Sequence, residues 1–388
     1  MSWPLVKLGD VCERVSVGHV GTTSEFYTDG TGVPFLRTQN VGSDGLVLED
    51  VKYITHEFHK VLRKSTLAAN DVVMSRVVST SVNCGIVPEY LEGANCANII
   101  LARPIKDKLV SEYLVHYLRS SDVQGRLLAR QVGSAQSVVN TGVLKSWEIP
   151  LPPLPEQKRI AAILDKADSI RRKRQQAIQL ADDFLRSVFL DMFGDPVTNP
   201  KGWPLKRFGE VGTWSSGGTP SRAISDFFEG EINWYSAGEL NSRYLDGSVE
   251  KISESAIKNS AAKIFKKDSL LVGMYDTAAM KISILKEDSS CNQACANVEC
   301  NELASVEWLY SYIDYAKDSY LSRRRGVRQK NLNLGMIRDF LLPLPPRDLQ
   351  DEFVRFVSAV FGMKKKQDEC KDFPVFESLS LKAFSGQL

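Results

Sequence analysis

Two kinds of apolar pattern run along the chain. From Ile160 onward, Ile163, Ala167, Ile170, Ala177, Ala181, Phe184 and Val188 recur at alternating spacings of three and four, interrupted only at Arg174. That heptad stripe predicts one helix from Glu156 to Met192, about 55 Å long at roughly 1.5 Å per residue. Pro155 suits a first helical position, Glu156 suits the positive helix start, and Gly194-Asp195-Pro196 supplies the stop. Phe353, Phe356, Val360 and Met363 form a second stripe in the same register, and Pro374 predicts a kink or break beyond it. Elsewhere the apolar runs are short. Val33–Leu36, Asp71–Met74, Asn98–Leu101 and Trp147–Ile149 read as strands, with Ile232–Tyr235, Ser269–Val272 and Ile282–Leu285 as counterparts. Helical stretches lie near 111–120 and 305–320. The fold class this predicts is α+β, with mixed α/β content.

The pattern occurs twice. Trp3-Pro4-Leu5-Val6-Lys7-Leu8-Gly9 returns as Trp203-Pro204-Leu205-Lys206-Arg207-Phe208-Gly209. Cys96-Ala97-Asn98 matches Cys295-Ala296-Asn297. Gly133, Gln136, Asn140 and Gly142 return as Gly326, Gln329, Asn333 and Gly335. Pro150-Leu151-Pro152-Pro153 returns as Pro343-Leu344-Pro345-Pro346, with Gln157 matched by Gln350. A period this long indicates duplicated domains rather than a solenoid. The expected organisation is a globular domain over 1–150, a helical spacer over 151–195, a second globular domain over 196–342 and a second spacer over 343–388. The two helices are expected to pack antiparallel, with the two domains related by a pseudo-twofold axis.

Composition changes this picture little: 388 residues, 43% hydrophobic and 25% charged, with a net charge of +2. No apolar run reaches the roughly 20 residues of a membrane helix, the N-terminus lacks a signal-peptide pattern, and the seven cysteines are odd in number and thinly spread. A cytoplasmic protein is expected. So small a net charge requires that any nucleic-acid binding come from local basic patches. Two such windows exist. No acidic residue occurs between Asp318 and Asp339, where Arg323, Arg324, Arg325, Arg328, Lys330 and Arg338 fall. None occurs from Val123 to Trp147 either, where Arg126, Arg130 and Lys145 fall. Each window holds a Gly-x-x-Gln turn, with Ser134 and Gln136 in the first and Gln329 in the second. Phosphates need cations free of competing carboxylates, and Arg and Gln side chains suit bidentate contacts with guanine and adenine. Arg37, Gln39, Asn40 and Arg76 are further candidate DNA contacts in loops after the strands. Ser236, Glu239, Asn241, Arg243, Tyr275 and Asp276 occupy the corresponding regions of the second copy. The basic runs Arg171–Arg174 and Lys364–Lys366 read first as solvated helix faces.

Catalytic signatures are missing from the sequence. It holds no GxxxxGK[ST] loop, and His56-Glu57-Phe58-His59 is one residue short of HExxH. Asn199-Pro200-Lys201 stops short of the Asn/Asp-Pro-Pro-aromatic motif of DNA amino-methyltransferases. Cys291, Cys295 and Cys300 have no histidine beyond His116 to join them, so core packing is the better reading of Cys96 and Cys295. A self-contained modification enzyme therefore fits poorly, and a coiled-coil scaffold without DNA leaves the acid-free windows unexplained.

Leu151-Pro152-Pro153-Leu154-Pro155-Glu156-Gln157-Lys158-Arg159-Ile160 resembles the hinge-and-helix motif of type I restriction-modification specificity subunits. Trp3–Asp10 resembles their domain opening, Phe193–Pro196 with Trp203 their junction, and Ala383–Leu388 their end. Pro346-Arg347-Asp348-Leu349-Gln350 departs from the Pro-Glu-Gln pattern. The resemblance implies a non-catalytic subunit with two target-recognition domains, each reading half of a bipartite site on double-stranded DNA in the major groove. It implies two methyltransferase subunits docked on the helices, with Glu156, Gln157, Ile160, Ile163, Phe353 and Phe356 as candidate contacts. A nuclease and translocase subunit would join for restriction, unless the system only modifies. No cofactor is expected on this chain. S-adenosylmethionine would belong to the methyltransferase, and ATP and Mg to the nuclease.

Overall fold

In the computed structural model, residues 3–78, 82–129, 137–322, 331–369 and 375–388 are described. They form two compact units, 1–175 with 369–388, and 176–368. Both boundaries fall inside helical segments rather than at the hinges near 150 and 342. The reason is visible in the helix Leu154–Phe193. Its first part buries Ile160, Ala161 and Leu164 in the core of the first unit. Its last part buries Leu185, Phe189 and Phe193 in the core of the second.

Each unit opens with a strand that pairs antiparallel with the strand just before its hinge. Leu5 faces Pro150 in the first unit, and Leu205 faces Pro343 in the second. Between them lies a sheet ordered Cys84–Ile86, Val72–Ser75, Ile99–Pro104, Cys12–Val17 in the first unit. The second unit orders Gly212–Ser216, Cys295–Cys300, Leu270–Gly273, Ile282–Leu285 and Tyr244–Leu245. A smaller sheet accompanies each, in which Asn95–Cys96 runs parallel to Val33–Leu36 and Ser290–Cys291 runs parallel to Ile232–Tyr235. The expected α+β class is what the chain adopts.

The register corrects two of the expected equivalences. Gly18 N donates to Ile99 O and His19 N to Cys96 O, while Gly217 N donates to Cys295 O and Gly218 N to Cys291 O. Cys96 therefore corresponds to Cys291, and Cys295 corresponds to Ile99. The matching Cys-Ala-Asn tripeptides are a coincidence, offset by the longer turn after Cys291. Likewise the counterpart of Ile99–Pro104 is Cys295–Cys300, whereas Ile282–Leu285 corresponds to Cys84–Ile86. Cys96, Cys291 and Cys295 are all buried, as core packing requires.

The hinge glutamines share one geometry. Gln157 Oε1 accepts from Val110 N at 2.9 Å, and its Nε2 donates to Lys108 O and Pro152 O, each at 2.9 Å. Gln350 Oε1 accepts from Ser305 N at 2.9 Å, and its Nε2 donates to Leu303 O at 3.0 Å and Pro345 O at 2.9 Å. Asn140 and Asn333 likewise cap short helices, accepting from Gly142 N and Met336 N. These repeated residues fasten each helix to its domain.

In the second unit the helices do run antiparallel. Phe189 packs on Phe353 with ring centres 5.4 Å apart, Phe184 meets Phe356, and Asp182 pairs with Lys364. The buried face follows the heptad stripe only in part: Ile160, Phe353 and Val360 belong to it, whereas Val357 and Phe189 lie off it. Phe353, Val357 and Val360 are buried, while Ile170, Phe184, Phe356 and Met363 keep exposed surface. The second helix spans Arg347–Glu369 and another follows over Val375–Ser385; Pro374 lies outside the described residues. That last helix sends Ala383, Phe376, Leu379 and Phe384 into the first core, where Trp3 Nε1 donates to Ala383 O at 3.0 Å. Trp203 Nε1 donates in the same way to Phe193 O at the end of the long helix. Both tryptophans of the repeated opening thus close on a helix end.

His116 joins the first domain to the long helix through Asp165, Nε2 to Oδ1 at 2.7 Å, with Nδ1 buried and unpartnered. Burial holds its pKa below the ordinary histidine value, only partly offset by Asp165. A histidine with a depressed folded pKa gives stability that is complete above its unfolded value, roughly 6.5, and lost as pH falls through the folded one. The melting temperature of the first unit is expected to drop between about pH 7 and pH 5. A His116→Gln variant should flatten that acid limb; an unchanged slope would assign the loss to other groups.

Candidate nucleic-acid interface

The loop after Val33–Leu36 is tied to itself. Arg37 Nη2 donates to Asp50 O at 2.9 Å and to Asp50 Oδ2 at 3.0 Å. Gln39 Nε2 donates to the same Oδ2 at 3.0 Å, and Lys52 Nζ to Oδ1 at 2.8 Å. Lys52 first, then Arg37, holds the exposed Asp50 carboxyl below its ordinary range. Asp50 belongs to this group although no motif or spacing pointed to it. Phosphate approaching Arg37 must compete with it. Asn40 is corrected outright: it is 1% exposed, accepts from Arg37 N and donates to Val47 O. It braces the loop and has no edge to offer a base. Ser236 and Glu239 make the corresponding brace in the second unit, closed by a bond from Val249 N to Glu239 Oε1. Arg243 is a second correction. Its side chain is 9% exposed and pairs with Glu307 at 2.8 Å, so it serves the unit's interior.

The structure brings other candidates together. Arg76, half-exposed at the end of a core strand, accepts through its O a bond from Val139 N. The following residues, Val77–Val78, pair with Ser137–Val138. In the second unit Met274 O accepts from Leu332 N, and Asp276 N donates to Asn331 Oδ1 at 3.0 Å. In each copy the turn after one core strand is therefore stitched to the edge of an acid-free window. Ser134, Gln136, Arg323, Arg324, Arg325, Arg328, Gln329 and Lys330 themselves lie outside the described residues. Tyr275 stands 40% exposed on this turn, beside Asp276 at φ +48° and with Met280 at φ +59°. Non-glycine residues held in the left-handed region mark an over-determined turn, a feature that clusters at functional sites. A Cβ on Gly273 would collide with Ala278 O, so glycine is required where the turn starts.

Of the candidate partner contacts, Gln157, Ile160 and Phe353 are filled by the chain's own cores and are corrected to anchors. Glu156 pairs with Arg159, Ile163 is half-buried, and Phe356 is 37% exposed. Among the basic runs, Arg171 and Arg172 pair with Asp168, and Lys364 with Asp182. Among the described residues no helix is long and apolar enough to cross a membrane.

The family described as type I restriction modification DNA specificity domain matches residues 2–180 and again 200–371. A putative type I restriction enzyme MjaX specificity subunit from Methanocaldococcus jannaschii is 23% identical, over 95% of this chain and 89% of its own length. The StySPI specificity subunit of Salmonella potsdam is 22% identical, over 93% of this chain and 84% of its own. The solved S subunit of a type I restriction-modification system from M. genitalium shares the fold at TM-score 0.59 and 15% identity, over 98% of this chain and 94% of that one. A chain from the structure on complex assembly and conformational transition of the type I R-M system gives 0.52 at 19% identity, over 100% and 98%.

Proposed function

The chain belongs to the type I restriction-modification DNA specificity family, and from that premise we propose that its two units each read one half of a bipartite site on double-stranded DNA. Specificity subunits supply recognition rather than chemistry. Two methyltransferase subunits, carrying S-adenosylmethionine, would modify adenine at the site, and a nuclease and translocase subunit using ATP and Mg would cut unmodified DNA. The observation that carries this reading is the duplicated stitch, in which a turn beside each core strand meets the edge of an acid-free window. On this reading the cations of the windows would meet phosphates, apart from Arg126, which pairs with Asp122 at 3.2 Å, and side chains of the turns would meet base edges.

Sequencing methylated adenines in a host with and without this chain tests it. A single two-part motif should vanish when the chain is removed; an unchanged methylome would overturn the reading. Binding to the motif should also weaken by orders of magnitude between roughly 50 and 200 mM salt, read by fluorescence anisotropy. Gln136→Ala and Gln329→Ala should relax different halves of the motif. Relaxation of the same half by both would sink the two-reader arrangement.

A further inference from the structure

A second pair of acid-free stretches lies apart from the two windows. Residues 58–70 hold no acid and carry Lys60, Arg63 and Lys64. Residues 255–267 hold none and carry Lys258, Lys263, Lys266 and Lys267. Strand pairing places the two alike. Thr66 forms an antiparallel bridge with Asn95, and Phe265 forms one with Ser289. Leu67 N donates to Ala94 O at 2.8 Å, and Phe265 N to Ser289 O at 2.7 Å. Each stretch therefore runs along the edge of the smaller sheet, outside Asn95–Cys96 in one copy and Ser290–Cys291 in the other.

The antiparallel direction fixes the end of the sheet that each cation occupies. Cys96 Sγ donates to Ser65 O at 3.5 Å, so Lys64 and Arg63 continue toward Asn98, whose O accepts from Thr38 Oγ1 at 3.0 Å. In the second unit the chain before Phe265 runs beside Cys291 in the same sense. There Gly218 N donates to Cys291 O at 2.9 Å, and a Cβ on Gly218 would strike Ala261 O. Asn292 N then donates to Tyr235 O at 2.9 Å, one residue before Ser236. Arg63 and Lys64 thus stand at the end where the Arg37 loop begins, and Lys263 at the end where the Ser236 loop begins. Lys266 and Lys267 lie toward the opposite end, where Asp288 neutralises Lys266 at 2.9 Å. Arg63, Lys64 and Lys263 are exposed and form no ion pair among the described residues. Arg37, by contrast, is satisfied by Asp50 within the protein. A charge kept only for solubility is free to drift along the surface between two copies. Here the residues differ, Lys64 facing Ala262 and Ser65 facing Lys263 in the alignment, yet uncompensated positive charge stays at one sheet end.

We propose that Arg63 and Lys64 in the first unit, and Lys263 in the second, take backbone phosphates beside the half-site that the neighbouring loop reads. They hold each unit on the duplex without selecting sequence. This rests on the DNA-reading function above.

The test uses the full chain co-purified with its partner subunits. Fluorescence anisotropy follows two duplexes, one with the motif methylated in the host and one unrelated, from about 50 to 200 mM salt. The slope of log affinity against log salt should become shallower by about 1.8 in Arg63→Gln/Lys64→Gln and by about 0.9 in Lys263→Gln, the latter being the value for one phosphate. Both duplexes should weaken by similar factors, and the motif methylated in the host should stay the same. Lys267→Gln, in the same stretch but toward the far end of the sheet, should leave the slope where it was. Wild-type slopes in both test variants would assign these cations to solvent and overturn the proposal. Weakening of the motif duplex alone would also overturn it, because that marks base reading. So would loss of partner subunits on size-exclusion chromatography with the slope kept, which would make the surface a protein contact. An equal fall in Lys267→Gln would reduce the effect to net charge. A wild type that binds its motif without salt dependence refutes the DNA-reading function instead.

Discussion

Gln157→Leu and Gln350→Leu are expected to destabilise their own unit by at least about 3 kcal/mol each, more than any surface change in the chain. Leucine roughly keeps the volume but leaves three backbone groups without partners. In the first unit these are Val110 N, Lys108 O and Pro152 O; in the second, Ser305 N, Leu303 O and Pro345 O. A buried group left unsatisfied costs about 1–3 kcal/mol, and a domain has only about 5–15 to lose. Glutamate is no rescue, because its second oxygen would face two carbonyls. Urea unfolding followed by circular dichroism should show one destabilised transition per variant, the first unit for Gln157 and the second for Gln350. Two unmoved transitions would mean that water replaces the carboxamide.

That glutamine shows both the reach and the limit of the sequence. Its repetition after a proline hinge made the duplication legible, along with the long helix and the repeated Trp-Pro-Leu opening; that the opening forms a strand was not predicted. Its role was not legible, because a polar residue at a helix start reads equally well as a docking surface or as a buried clasp. Only the three backbone groups around it decide, and two of the three come from a segment distant in sequence. The heptad stripe matches the buried face only in part, for a related reason. One periodic stripe assumes one partner along the whole helix, whereas Ile160 and Leu164 face one core and Leu185, Phe189 and Phe193 face another. The cysteine match failed because an identical tripeptide outweighed a difference in turn length that only strand pairing reveals.

Among candidate base contacts the sequence located the loops but not the free side chains. Asn40, Glu239 and Arg243 are the residue types that recognise bases, and they are also the types that brace irregular backbone. In a loop without regular hydrogen bonding the second need is met first. Tyr275 and Arg76 lie instead beside an acid-free window, with Asp276 next to Tyr275 bound there through its backbone N.

The other large effect is predicted at Asp71, where the interiors of the two copies differ in charge. Asp71 is fully buried, accepts from Arg103 Nε at 2.7 Å and Nη2 at 2.8 Å, and caps Ala68 N at 2.8 Å. Arg14 stands directly opposite Arg103 in the strand pair, and its guanidinium reaches Thr66 O at 2.7 Å. Burial and the Arg103 charge both lower the Arg14 pKa, and Asp71 works against them. Asp71→Ala therefore leaves two facing cations without a counter-ion as well as an uncapped amide. The expected cost is about 3–5 kcal/mol, toward the low end because Arg103 still reaches water. In the second unit, Ser269 occupies the same place, bonded to Asn297 Nδ2 at 2.7 Å with no charge involved. Ser269→Ala should cost only about 1–2 kcal/mol. Differential scanning calorimetry of the full chain reads both, and comparable losses would show that Asp71 acts as a simple cap. Replacing Asp71, Arg103 and Arg14 together by apolar residues should recover most of the loss, since it is the unpaired charge and not the missing bridge that costs.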